Sequence, residues 1–168
     1  MHVLLLLLLS TAHAQELRVE PYLQLMTTTS VVVRWETEDG DESRVTWGTE
    51  AGQLGFETTG SWFDSNASTS LHEVAIEGLQ PATRYWYAVH SGAQTSGPFD
   101  FVTPAEASAE ADVRVVAMSD MQRDSGNPTV FQEIVEDGIL PFVTQELGPD
   151  LAAELSFTMI PGDLVDNG

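Results

Sequence analysis

Between Ser30 and Phe101 large apolar side chains recur at every second position, in short runs separated by polar turns, and this period restricts the fold most. Val31, Val33 and Trp35 alternate with Val32, Arg34 and Glu36, as in a strand with one face buried. The acidic stretch Glu38-Asp39-Gly40-Asp41-Glu42 reads as a turn, and Arg44-Val45-Thr46-Trp47 resumes the alternation. Val74 and Ile76 mark a further strand beyond Asn66 to Ser70. Tyr85, Tyr87 and Val89 alternate with Arg84, Trp86 and Ala88, and Phe99 with Phe101 closes the series. About seven such strands without a helical period predict a mainly β chain, with residues 15–103 forming an antiparallel sandwich anchored by Trp35.

Charge narrows the function classes. Six Lys+Arg, all of them Arg, face 26 Asp+Glu, giving a net charge of −20. Nucleic-acid binding needs clustered cations to replace phosphate counterions, so it is excluded. With no Cys in the sequence, disulfides and thiolate-bound zinc are excluded too. A hydrophobic content of 42% is enough for a packed core.

Val3 to Leu9 is an apolar run followed by Ser10-Thr11-Ala12-His13-Ala14. This pattern predicts a signal peptide over residues 1–14 and a secreted or periplasmic product. The run is too short to span a bilayer, and no other stretch predicts a transmembrane segment. Beyond the signal only His72 and His90 remain, both expected to be satisfied within the sandwich or at its surface rather than to bind metal. Trp62 and Phe63 are expected on a loop tucked against its own domain. Asn66-Ala67-Ser68 is a glycosylation sequon by pattern.

Residues 104–111 are small and acidic and read as a linker. At Asp112 the texture changes. Val113 to Met118 is a nearly continuous apolar run, as in a strand covered on both faces. Asn127-Pro128 predicts a helix start, with Asn as N-cap and Pro at the first helical position. Val130, Phe131, Ile134 and Val135 follow at helical spacing, Gly138 and Pro141 are expected to break or kink the helix, and Gly148-Pro149 ends it. Phe157 to Ile160 is the second buried strand of a βαβ unit, whose right-handed crossover makes the strands parallel.

Parallel strands end on one edge of their sheet, where α/β proteins place their sites. Asp120 follows the first strand and Asp163 the second, so neighbouring strands would bring these carboxylates together. Two ionised carboxylates at close range repel, and a divalent cation between them is the natural remedy.

Three patterns then resemble known families. Leu79-Gln80-Pro81 followed by Tyr85 entering a strand resembles the tyrosine corner of fibronectin type III domains. Ser119-Asp120-Met121-Gln122 and Gly162-Asp163-Leu164-Val165-Asp166 resemble the first two blocks of calcineurin-like metallophosphoesterases, Asp-x-His and Gly-Asp-x-x-Asp. A fibronectin-like domain ahead of such blocks, with Pro21-Tyr22-Leu23-Gln24 and Trp47-Gly48, resembles the purple acid phosphatases. The resemblance implies that residues 112–168 begin an α/β metallophosphoesterase domain. It implies that Asp120 ligates one metal, that Asp163 bridges two (Fe, Zn, Mn or Ca), and that Asp166 accepts a hydrogen bond beside them. The implied activity is hydrolysis of phosphate esters by a metal-bound hydroxide. Gln122 stands where the family has His, Asp166 where purple acid phosphatases carry Tyr, and no His occurs after Asp112. The chain therefore reads as the N-terminal portion of a longer enzyme, without complete catalytic machinery of its own. The alternative is a non-catalytic fibronectin type III-like binding or adhesion module with a degenerate phosphoesterase remnant.

Overall fold

The computed structural model describes residues 17–40, 42–65, 69–121 and 125–162. The expected signal segment, the sequon pattern, Gln122, Asp163 and Asp166 lie outside the described residues.

The alternating runs become two four-stranded antiparallel sheets. One carries β1 (Leu17–Gln24), β2 (Ser30–Thr37), β6 (Ser70–Glu77) and β5 (Ser61–Asp64), in the order β1-β2-β6-β5. The other carries β4 (Phe56–Thr59), β3 (Arg44–Gly48), β7 (Arg84–Ser91) and β8 (Gln94–Val102), in the order β4-β3-β7-β8. Val31, Val33 and Trp35 of β2, Val74 and Ile76 of β6, Val45 of β3, and Tyr85, Tyr87 and Val89 of β7 are buried and form one core with Leu79 and Phe101. Period-2 patterning thus specified both the faces and the register, because a one-residue slip would turn these side chains outward.

The turn into β7 is closed by its tyrosine: the backbone N–H of Gln80 donates to Tyr85 Oη at 2.9 Å. Across β2 and β6, Trp35 and His72 are direct register partners, and their rings stack at 4.8 Å with planes 4° apart. His72 is fully buried. Thr37 Oγ1 gives its proton to the Asp39 carbonyl, so it accepts from His72 Nε2–H at 2.8 Å. Nδ1 lies 2.8 Å from Ser43 Oγ. These hydroxyls satisfy His72 inside the core.

His90 is bracketed by hydroxyls as well, with Nε2 2.9 Å from Thr46 Oγ1 and Nδ1 2.9 Å from Thr95 Oγ1. Partial burial, then the nearby Arg44 charge, hold the His90 pKa below its usual 6.5, against the opposing pull of Glu42 and Glu57. A histidine that binds its proton less readily folded than unfolded favours unfolding once protonated. Its contribution is intact above pH 6.5 and is lost as the pH falls below that value. Thermal melts at about pH 8 and about pH 5.5 should therefore show a smaller drop in Tm for His90→Gln than for the parent chain. An equal drop in both proteins would remove His90 from the account.

Trp62 and Phe63 depart from the sequence expectation. They lie on β5, register partners of His72 and Leu71, and remain about half exposed rather than sitting on a tucked loop. The short run Ser61–Asp64 has no alternation, because neither of its faces is fully buried. The Trp62 ring does press on Gly40, leaving no room there for a Cβ. Gly60, between β4 and β5, carries the chain from one sheet to the other, and a Cβ on it would run into the Glu73 carbonyl and lie 2.9 Å from Val74 Cα.

Beyond an irregular segment with one turn at Glu106–Ala109, β9 (Val115–Ala117) and β10 (Phe157–Met159) pair in parallel. Between them run α1 (Val130–Glu133), a π-helical stretch (Ile134–Ile139), α2 (Leu140–Leu147) and α3 (Leu151–Glu154). Three expectations are corrected here. The helix starts at Val130 with Thr129 as N-cap, not Asn127: Asn127 instead offers its carbonyl to Val130 N–H in a preceding turn. Gly138 and Pro141 do not break the helix, which runs on into α2 and ends at Gly148. Pro141 lacks the N–H that would reach back four residues, and the preceding turn widens to π-helical pairing through Gly138. Finally, β9 and β10 are short and partly exposed rather than covered on both faces: Val115, Phe157 and Met159 all reach solvent. Among the described residues, no helix is long and apolar enough to cross a membrane.

Candidate functional site

The parallel pair brings two chain segments to one sheet edge. Phe157, Thr158 and Met159 lie opposite Val115, Val116 and Ala117, and Met118 N–H donates to the Met159 carbonyl at 3.0 Å. The ladder thus runs one residue past β9 before the chain turns away. Asp120 lies in that turn, exposed, with a left-handed backbone (φ 60°). A residue other than glycine pays a steric cost there, which Asp tolerates better than most because its short side chain can bond locally.

Of the residues singled out from sequence, Asp120 is therefore placed at the C-terminal edge of the parallel pair. Asp163 follows Met159 by four residues in sequence. Among the described residues, no three His, Asp or Glu side chains gather into a potential metal site. The candidate donors are all oxygens: carboxylates at Asp120 and Asp163 and an amide at Gln122. Such a set suits hard cations better than imidazole-seeking ones. One described carboxylate does not make a dinuclear centre.

A polar constellation that received no role from sequence lies at the other end of the parallel pair. Arg84 at the start of β7 engages Asp100 of β8 and reaches Asp150 Oδ2 at 2.5 Å. Asp150 caps α3, accepting from Ala153 N–H at 3.4 Å. The Arg84 hydrogen bond is the main reason its carboxyl pKa lies below the ordinary value. Arg114, just before β9, pairs with Glu154 at 2.6 Å and Asp112 at 3.1 Å. The scarcity of cations was the available signal, since each Arg in so acidic a chain is surrounded by potential partners.

Comparison with known proteins bears on the sandwich. Residues 18–103 match the purple acid phosphatase N-terminal domain, just over half of the chain. The chain belongs to this family. The purple acid phosphatase N-terminal domain therefore coincides with the two antiparallel sheets, from the first strand to the close of β8. No curated protein matches the chain. Among solved structures, the longer form of the sensor domain of the anti-sigma factor RsgI4 from Pseudobacteroides cellulosolvens is 19% identical, covering 59% of this chain and 98% of that one at a TM-score of 0.43. The solution structure of the same sensor domain is 16% identical, covering 54% and 76%, at a TM-score of 0.39. PhoD is 17% identical, with 61% of this chain covered but only 22% of PhoD, at a TM-score of 0.47. None of these three likenesses bears on function.

Proposed function

We propose that this chain is the N-terminal portion of an exported, metal-dependent phosphoesterase of acid phosphatase type. The family of residues 18–103 carries this reading. The strand order β1-β2-β6-β5 over β4-β3-β7-β8 and the Gln80–Tyr85 corner bond support a fibronectin type III-like form for that domain. Residues 104–111 are its linker, and residues 112–168 open the catalytic domain as its first βαβ unit. The parallel pairing of β9 with β10 supports this, as does the place of Asp120 at the sheet edge used by α/β enzymes.

In this reading Asp120 and Asp163 hold metal, with Gln122 a weaker oxygen donor and Asp166 orienting a ligand from behind. When bound, two metal ions would supply Lewis-acid polarisation of a phosphoryl oxygen and charge neutralisation. The chain's own contribution is a pair of carboxylates that follow two adjacent parallel strands, Asp120 after β9 and Asp163 after β10, so that both would be offered to cations at one sheet edge. The acidity fits: residues 15–104 carry −9 and residues 105–168 carry −11, a field that repels phosphate esters unless cations intervene.

The test begins with the reading frame downstream of codon 168. A frame continuing into Gly-Asn-His and further histidine blocks gives the extended protein to assay with p-nitrophenyl phosphate, after chelation and re-addition of Mn, Zn, Fe or Ca. Asp163→Asn should lower metal-dependent turnover by about a thousandfold, equivalent to several kcal/mol of charge stabilisation. Turnover indifferent to chelation or to Asp163→Asn overturns the site. Absence of turnover with every metal would leave the binding-module alternative.

A further inference from the structure

We infer that Arg84 is an ionic latch that docks the β-sandwich onto the base of the parallel strand pair, with Asp150 as its keeper. The guanidinium is set in place by its own sheet before it reaches across. Asp100, register partner of Trp86, holds one Nη, and the Trp86 ring lies under the guanidinium carbon at 5.9 Å. A planar fork fixed on two sides loses little further freedom when its second Nη engages Asp150.

The keeper is equally well placed. Asp150 begins α3, and α3 leads within three residues into β10. The far end of α3 is tied down independently: Glu154 pairs with Arg114, Ser156 N–H donates to the Arg114 carbonyl at 2.8 Å, and Arg114 N–H donates to Ser156 Oγ at 3.1 Å. A short helix pinned at both ends thus connects the β7–β8 edge of the sandwich to the N-terminal base of β9 and β10. Their opposite ends lead to Asp120 and toward Asp163.

Charge explains why the latch matters in this chain. The segments on either side of residue 104 carry −9 and −11 and repel one another. With six Arg and no Lys, few cations are available to oppose that repulsion, and Arg84 is the one whose ion pair with Asp150 crosses this seam among the described residues. Exposed ion pairs are individually weak, so the docked arrangement is easily shifted. The latch stands whether or not the chain belongs to a working phosphoesterase.

The sequence has no Cys, so Glu77→Cys and Glu146→Cys give a clean pair of spin-label sites on the sandwich and on α2. Asp150→Asn is the decisive variant, because asparagine caps helices as well as aspartate does while removing the charge. The labelled parent should give one narrow distance distribution. Asp150→Asn and Arg84→Gln should each broaden it, with exchange of the Ala153 to Leu155 amides faster by about two- to fivefold. Combining the two should add nothing further, since both remove the same bond. Unchanged distributions and exchange in Asp150→Asn overturn the latch. So do effects of the two variants that simply add, which would mean that the residues act separately.

Discussion

Trp35→Ala is expected to cost about 3–5 kcal/mol, the range for truncating a large buried aromatic. A domain of this size is stable by only about 5–15 kcal/mol, so the variant should be largely unfolded at moderate temperature. The site cannot collapse to fill the space. Trp35 is fully buried between Val33 and Thr37, its ring is matched face to face with His72, and its Nε1–H reaches Ser91 Oγ at 3.4 Å. Removing the indole opens a cavity and strips one face of a buried imidazole whose edges are committed to hydroxyls. Urea unfolding of the chain measures the effect, with Trp62→Ala as the comparison. Trp62 is 43% exposed, and its loss should cost far less. Equal losses for the two tryptophans would show that Trp35 is not the core anchor.

Gly60→Ala is the second large effect, and it works by crowding. The new methyl would meet the Glu73 carbonyl and Val74 Cα, both backbone atoms of β6. β6 is paired with β2 on one side and β5 on the other, so it cannot withdraw without breaking a ladder. Overpacking against side chains typically costs about 1–3 kcal/mol, and a backbone neighbour should put Gly60→Ala at or above about 3 kcal/mol. Gly52→Ala is the control: a Cβ there meets nothing within 4 Å, and the substitution should be close to neutral. A shift in the urea midpoint for Gly60→Ala no larger than for Gly52→Ala would mean that the crossover has room to spare.

The sandwich was legible because one buried face writes its period into the sequence. Val31-x-Val33-x-Trp35 and Tyr85-x-Tyr87-x-Val89 each name a strand, its inward face and its register. The corner tyrosine could be found because its partner is only five residues away. β5 was missed for the converse reason: Ser61-Trp62-Phe63-Asp64 pairs along an edge with both faces partly wet, so burial imposed no alternation. The apolar runs around Val115 and Phe157 correctly named strands but not their surroundings, because hydrophobicity records what a segment can bury rather than what covers it. In the candidate site, the position of Asp120 just beyond a strand could be read from the sequence, while its left-handed backbone has no sequence signature stronger than the residue being Asp. Arg84 and Asp150 were invisible because 66 residues separate them and their meeting depends on docking.

The parallel pair has one more consequence. Among the described residues β9 and β10 pair only with each other, so each has an outward edge of amide and carbonyl groups, flanked by the half-exposed Val115, Phe157 and Met159. An open strand edge with apolar neighbours is a template for any other extended chain, including a second copy of itself. Natural proteins commonly place lysine on such edges to keep strangers away, and this chain has none. Its protection is instead global. Two copies approaching edge to edge each bring a charge of −20, and their mutual repulsion acts before the backbones come within reach.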